Sequence, residues 1–468
     1  MESTRYEMLA NRLAELIRGG TFAPGDRMPS VRQSSHEHRV SISTVMEAYR
    51  RLEDTGLIEA RPRSGYYVKA PVLSEARIPT TAAHARKPIH IERASLFEAV
   101  MDTVADPRVV PFAAAAPDDS IIPKAKLASI SNALFRKHGG AALRYTLPPG
   151  RRELRVAVSK RLLGAGIKAS PDEILTTHGA TEALLLALRA TTKRGDLVAV
   201  EAPTYFGILH LLRDLGLRAI EIPVSPHAGF VVEALETALK KHRVAACVVQ
   251  PNFHNPIGGL MPVEAKQRLA ALSERHGFAI VEDDVYGELG HDGIRHPSIS
   301  LYGGHVIHIG AISKTLAPGL RVGWIVPGPH FAEIKRLKSI QCPWNATLSE
   351  LMVAEFLEAG GYDRHLRRIR QLYAVQCARM RQAVVSSFPD TCRVNQPLGG
   401  FVLWIEMPAA FDAEDFAVRA MAENVSLVPG PVFSASGGLR NCFRLSCGFA
   451  FGERTLDAVA LLGKLAAR

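Results

Sequence analysis

Five short apolar runs, at residues 197–200, 245–249, 278–281, 306–309 and 324–326, recur through the chain. Glycine, proline or polar residues follow each of them, and helical stretches lie between. Runs this short and this uniformly apolar suit strands buried on both faces, as in a mostly parallel sheet covered by helices. Their alternation with helices specifies a doubly wound α/β domain. Ligands of such sheets bind beyond the carboxyl ends of the strands. Asn255, Asp283 and Lys314 lie just past the ends of three of the runs.

The residues gathered there match one kind of chemistry. Pyridoxal phosphate needs a lysine amine to hold its aldehyde and a carboxylate to keep its ring nitrogen protonated, with donors for the ring oxygen and an anion site for the phosphate. Lys314, in His-Ile-Gly-Ala-Ile-Ser-Lys-Thr-Leu-Ala-Pro-Gly-Leu-Arg-Val-Gly-Trp (308–324), is the candidate amine, with Ser313 beside it and Arg321 seven residues on. Asp283 ends the run at 278–281, and Tyr286 follows. Asn255 sits in Pro-Asn-Phe-His-Asn-Pro-Ile-Gly (251–258). The turn Thr-His-Gly-Ala-Thr-Glu (177–182) precedes an apolar helix, so the backbone N–H groups of Gly179, Ala180 and Thr181 can cradle a phosphate. Each match alone is weak, because Asn-Pro-x-Gly is a common turn and an aspartate after a strand is common; their joint order and spacing carry the reading.

From about Pro111 onward the chain resembles the fold type I, aspartate-aminotransferase-like enzymes of aminotransferase class I/II. The resemblance implies a large doubly wound domain and a smaller α+β C-terminal subdomain from about residue 345. It makes Lys314 the Schiff-base lysine, Asp283 the partner of the pyridine nitrogen, Asn255 and Tyr286 the donors to the ring oxygen, and Arg321 a phosphate ligand. Tyr205, in Glu-Ala-Pro-Thr-Tyr (201–205), matches the aromatic stacked on the cofactor ring, and Tyr145 matches a tyrosine lent by the neighbouring subunit. Arg444, in Phe-Arg-Leu-Ser (443–446), matches the clamp for a substrate α-carboxylate. The chain departs from the pattern at Ala311, where a phosphate-binding serine is frequent, and at Ile257, where threonine is usual.

The first seventy residues form a separate α+β unit. Tyr6, Leu9, Leu13, Leu16 and Ile17 recur at helical spacing; Ser30-x-x-Gln33 has the capping-box pattern for a second helix. Ser41 precedes a third, whose apolar face is Val45, Ala48, Tyr49 and Leu52, closed by Gly56. Two short strands are expected at 57–61 and 66–69. With Gly-Asp-Arg-Met-Pro-Ser-Val-Arg (25–32), Ser-Ile-Ser-Thr-Val (41–45) and Leu-Ile-Glu-Ala-Arg-Pro (57–62), this unit resembles the winged helix-turn-helix of the GntR family. The resemblance implies double-stranded DNA as a partner, with the third helix in the major groove and Arg32, Ser41, Ser43, Thr44, Ser64 and Gly65 as contacts. Family members usually carry apolar residues where Ser34, Ser35 and His38 stand, glycine at Arg39 and often arginine at Ile42. Buried hydroxyls without partners cost about 1–3 kcal/mol each, so the serines must find partners or the unit is marginal.

A GntR-like unit at 1–70, a proline-bearing linker at 71–110 and an aminotransferase-like domain at 111–468 resemble the MocR subfamily of bacterial transcriptional regulators. That resemblance implies a head-to-tail homodimer that senses pyridoxal phosphate and a small amino compound. The alternative is a working aminotransferase with a weak or vestigial DNA-binding appendage. The formal charge of +11 favours polyanion contact. No apolar run approaches a membrane span and the N-terminus lacks a secretory signal, so a cytoplasmic protein without membrane association is expected. Six cysteines without a CxxC pair give no expectation of a metal site or disulfides.

Overall fold

The computed structural model describes residues 4–18, 22, 26–55, 57–61, 64–68, 77–80, 87–90, 106–226, 228–359 and 361–467. The chain divides into two compact units, Met1–Ala76 and Arg77–Arg468.

In the first unit, helices α1 (Arg5–Arg18), α2 (Val31–His38) and α3 (Ile42–Asp54) precede an antiparallel pair, β1 (Ile58–Arg61) and β2 (Gly65–Val68). Leu9 and Leu13 of α1 meet Val45, Ala48, Tyr49 and Leu52 of α3 and Ile58 and Val68 of the hairpin in one apolar core. Ser30 and Ser41 cap α2 and α3 through their hydroxyls, which accept from the N–H of Gln33 and Thr44. The capping box at α2 is only half formed, because the Gln33 amide reaches forward to Glu37 at 2.8 Å. Residues 26–28 lie along β2, Met28 N–H donating to Tyr66 O and Val68 N–H to Asp26 O, an addition to the expected hairpin. Gly25, Gly56, Pro62 and Lys69 lie outside the described residues.

The serines of α2 do find partners. Ser34, fully buried, shares a hydrogen bond of 2.8 Å with the Tyr49 hydroxyl, which itself donates to Pro29 O at 2.7 Å. Ser35 donates to Val40 O at 2.7 Å, closing the turn in which Arg39 takes the left-handed conformation (φ 51°). The polar face of α2 is thus a short network tying α2 to α3.

The second unit is built on a nine-stranded sheet in the order β3-β7-β6-β9-β10-β11-β12-β5, with β8 paired to β7. Its strands are β3 (Ile89–His90), β5 (Leu175–Thr177), β6 (Leu197–Ala202), β7 (Arg218–Ser225), β8 (Gly229–Phe230), β9 (Ala246–Val249), β10 (Ala279–Asp283), β11 (Val306–Ala311) and β12 (Gly323–Val326). From β7 to β11 the pairs are parallel, whereas β12 runs antiparallel to both β11 and β5. Side chains alternate strictly between two buried layers. Val198, Val200, Ala246, Val248, Ala279 and Val281 pack with the helix Ala180–Thr191, while Leu197, Ala199, Cys247, Val249 and Ile280 pack with the helix Val263–His276. Each fully buried aliphatic side chain there contributes roughly 1.5–3 kcal/mol, which is why the strands read as unbroken apolar runs. A four-stranded antiparallel sheet forms a second layer, in the order β13 (Arg393–Val394), β14 (Val402–Glu406), β17 (Cys442–Ser446) and β16 (Val428–Pro429).

The connecting stretch is more structured than a free spacer. Val394 N–H donates to Arg77 O, the Thr80 hydroxyl donates to Glu406, and β3 adds to the edge of β7. Strand β4 (Val110–Pro111) pairs in parallel with β15 (Val425–Ser426). Sheet edges left with unpaired N–H and C=O groups recruit such strands. Residues 94–104, whose apolar spacing is compatible with a helix, lie outside the described residues.

Tyr49→Phe strands the buried Ser34 hydroxyl and the Pro29 carbonyl together and is expected to destabilise the first unit by about 1–3 kcal/mol. Ser34→Ala should cost about 1 kcal/mol. Hydrogen exchange at the α3 amides of the full-length protein, faster in both variants and more so in Tyr49→Phe, is the check.

Candidate cofactor and DNA sites

Parallel register decides which carboxylate enters the site. Val281 pairs with Val248 and Glu282 with Val249, so Gln250 and Asp283 follow side by side. Both share the parity of Val281 and Val248 and so point to the face of the sheet that carries Ala180–Thr191. There the Gln250 amide donates to Asp283 Oδ2 at 2.7 Å and its oxygen accepts from Asn255 N–H at 3.1 Å. Asp284 turns to the opposite face, where Asn252, Arg295 and His308 surround it. Burial alone would raise the Asp284 carboxyl, but these partners hold it below the usual range.

Asp283 has no ion-pair partner among the described residues and is 3% exposed. Burial pushes its carboxyl up to about 6, against the bonds from Gln250 and Val285 N–H. Lys314 stands past the end of the neighbouring strand β11, half-buried, its Nζ donating to Ala115 O at 2.6 Å and lying 5.9 Å from the Tyr286 ring. Burial and the nearby Arg444 lower its amine to about 8; Asp283 works in the other direction.

Around this pair the structure gathers residues far apart in sequence. Arg444, on β17 and 1% exposed, donates to Asn255 Oδ1 at 3.2 Å and to Ala113 O, and lies over the Phe433 ring. Its burial lowers it to about 10, and no carboxylate pairs with it among the described residues. Its Nε and the buried Tyr286 hydroxyl have no hydrogen-bond partner among the described residues. Tyr205 stands at the N-terminal cap of the helix Phe206–Asp214, and its hydroxyl is raised by burial and by Asp283. Gly179 (φ 82°) caps Ala180–Thr191 with no side-chain bond; a Cβ there would lie 2.9 Å from the Arg321 guanidinium, so only glycine leaves that space clear. Arg321, itself left-handed (φ 53°), donates to His178 O at 2.8 Å. Ala180 opens the helix and Ser313 is half-buried beside Lys314.

Tyr145 stands apart from this group: it is 77% exposed and stacks on Trp344 at 4.6 Å. Sequence reasoning gave no role to Gln250 or to the carbonyls of Ala113 and Ala115. For Gln250 the signal was present, a polar residue ending an apolar run as Asp283 does; the carbonyls leave none. The ligand-type atoms of His178, Glu182 and Cys342 lie within 4.8 Å of one another, but the buried Lys338 ammonium already neutralises Glu182 at 3.1 Å.

In the first unit, the hydroxyls of Ser43 and Thr44 both lie 2.8 Å from that of Ser41 at the start of α3. Arg32 is exposed on α2. In the hairpin Ser64 is half-buried and bonded to the Tyr67 hydroxyl at 2.6 Å, while exposed Gly65 (φ 106°) lies against the Arg27 side chain.

The family model for aminotransferase class I and II matches residues 107–459, and that for bacterial regulatory proteins of the gntR family matches residues 5–68. The chain belongs to the MocR type of the GntR family. A protein of Escherichia coli K12 named uncharacterized HTH-type transcriptional regulator YjiR is 36% identical over 98% of this chain and 98% of its own length. The 2-aminoadipate transaminase of Thermus thermophilus is 33% identical over 80% of this chain and 94% of its own length. Among solved structures, LysN, the α-aminoadipate aminotransferase of Thermus thermophilus complexed with N-(5'-phosphopyridoxyl)-L-leucine, superimposes with a TM-score of 0.74 at 32% identity. It covers 80% of this chain and 95% of its own. MocR-type membership thus joins the two units to one architecture. Among the described residues no helix is long and apolar enough to cross a membrane.

Only a neutral amine attacks an aldehyde, so raising the pH through about 8 should bring Lys314 to full reactivity while ordinary lysines still gain toward about 10.4. Reductive methylation with formaldehyde, read per lysine by mass spectrometry, is expected to show this early midpoint. Asp283→Asn removes the anion that favours the ammonium and should move the midpoint lower still.

Proposed function

We propose that this protein is a cytoplasmic, homodimeric transcriptional regulator that binds double-stranded DNA through residues 1–70 and holds pyridoxal phosphate in the domain from residue 111, across a connection at 71–110. The observation that carries the cofactor half is the buried Asp283 carboxylate, without an ion-pair partner among the described residues, near a lysine whose amine burial and Arg444 lower to about 8, so that far more of it is neutral near pH 7 than of an ordinary lysine. A protonated aromatic nitrogen is the countercharge that Asp283 lacks. The Tyr286 hydroxyl, unpartnered among the described residues, and the cradle of Gly179 and Arg321 also fit such a group.

In this reading Lys314 is the attaching amine, and Ala115 O orients it. Gln250 aims the Asp283 carboxylate at the ring nitrogen. Asn255 and Tyr286 donate toward the ring oxygen; Tyr205 covers the ring. Gly179, Ala180, Thr181, Ser313 and Arg321 bind the phosphate, and Tyr145 serves the partner's site in a head-to-tail dimer. When bound, the cofactor supplies an electron sink for bonds at an amino carbon. Arg444 receives the carboxylate of a small amino compound, for which an Nε and a guanidinium without partner or counterion among the described residues leave a place. Arg32, Ser41, Ser43, Thr44, Ser64 and Gly65 contact DNA, positioned by the capping bonds of α3. The full-length similarity to proteins named as HTH-type transcriptional regulators supports regulation as the main role.

The near-complete set Asn255, Asp283, Tyr286, Lys314, Arg321 and Arg444 also supports a second reading, a working aminotransferase. The purified protein is expected to carry the visible absorbance of lysine-bound pyridoxal phosphate, which Lys314→Ala should abolish. Arg444→Ala should keep that absorbance and weaken amino-acid binding about ten- to a hundredfold, the worth of a charge-assisted pair. Arg32→Ala should lower DNA affinity on every sequence and reduce the salt slope by about one. Steady transamination at ordinary enzyme rates, with no sequence-specific DNA binding, would replace the regulator by the second reading.

A further inference from the structure

Helix α3 presents two unlike faces. Val45, Ala48, Tyr49 and Leu52 are buried in the core of the first unit. On the exposed side stands a row at four-residue spacing, Ile42, Met46 and Arg50. Ile42 is 50% exposed and Met46 is 53% exposed, although they are among the larger apolar side chains of a small unit. Ser43 and Glu47 flank them on the same side, also exposed.

The chemistry around this row identifies its occupant. Arg39 in the turn between α2 and α3, Arg50 at the end of the row and Arg32 on α2 are exposed and form no ion pair among the described residues. An apolar strip bordered by unneutralised arginines and hydroxyls does not suit another protein's apolar face, which would leave those arginines without anions. It suits the major groove of DNA, where phosphates line both walls and the floor carries one apolar group, the C5-methyl of thymine. An arginine at the far end of the row matches the two acceptors of guanine, and Glu47 matches the amino donor of cytosine.

Resting on the regulator reading above, we propose that Ile42 and Met46 read thymine methyl groups, so that the operator half-site carries thymines facing the first two turns of α3 and guanine facing Arg50. The row then selects by shape and methyl burial where relatives bearing arginine at the first position select by hydrogen bonding.

The test uses the full-length protein with pyridoxal phosphate present. Duplexes are selected from a random-sequence pool, and each thymine of the enriched site is then replaced singly by deoxyuridine, which removes the methyl and keeps the hydrogen-bonding edge. Fluorescence anisotropy at fixed salt is expected to show about three- to fivefold weaker binding at one or two positions per half-site, the worth of one buried methyl group at each. In Ile42→Ala or Met46→Ala, whose side chains lie outside the core, the same replacement should lose most of its effect. A site enriched by the wild-type protein but indifferent to deoxyuridine at every position would overturn this inference and leave the regulator intact. So would a loss that is equal in wild type and both variants. Failure to enrich any sequence would overturn the regulator reading and this inference with it.

Discussion

The second unit is organised around a buried carboxylate that has no cation among the described residues. Asp283 is carried into the interior by β10, two residues beyond the apolar run at 278–281, and it meets the amide of Gln250 just past the end of β9 instead of an arginine or lysine. Leaving a charge so placed is costly unless a partner arrives, and the raised carboxyl reports that cost. The parallel register of β9, β10 and β11 sets the geometry: Gln250 falls beside Asp283 on one side, and the chain leaving β11 brings Lys314 across on the other. A one-residue slip of β10 would exchange Asp283 for Asp284, whose own partners lie on the opposite face.

Much of this is legible in the sequence. The five runs marked strands because each is buried on both sides, and residues just past strand ends are where such sheets gather ligand-binding groups. What the runs could not reveal was direction and neighbourhood. Strand β12 reads like its neighbours yet runs antiparallel, and β7, with Glu221 and Pro223 inside it, does not read as a run at all. Glu221 is buried because Ser434 and Ser436 satisfy it from more than two hundred residues away. The bond between Arg444 and Asn255, 189 residues apart, is of the same kind. The residue types were visible in the sequence, but their partners depended on how the two sheets are packed.

The first unit shows the converse. Ser34 and Ser35 stand where relatives are apolar, and local pattern alone made α2 doubtful. The Tyr49 hydroxyl lies within reach of both Ser34 and Pro29 O, so that a polar contact takes the place of an apolar one. The same helix α3 that supplies Tyr49 to the core turns Ile42, Met46 and Arg50 outward. Packing and recognition are thus assigned to opposite faces of one helix.

A regulator that senses its cofactor requires a thermodynamic coupling: whatever binds at Lys314 and Arg444 must bind the DNA-bound and free forms with different affinity. The most direct measurement is the affinity of the full-length protein for DNA upstream of its own gene, at fixed salt. It should be made without ligand, with pyridoxal phosphate, and with pyridoxal phosphate plus single amino acids. Coupling of ordinary strength should shift the affinity about 5- to 150-fold for at least one amino acid, with the shift lost in Lys314→Ala. Specific binding of equal strength under every condition would contradict the coupling and leave two activities that merely share a chain.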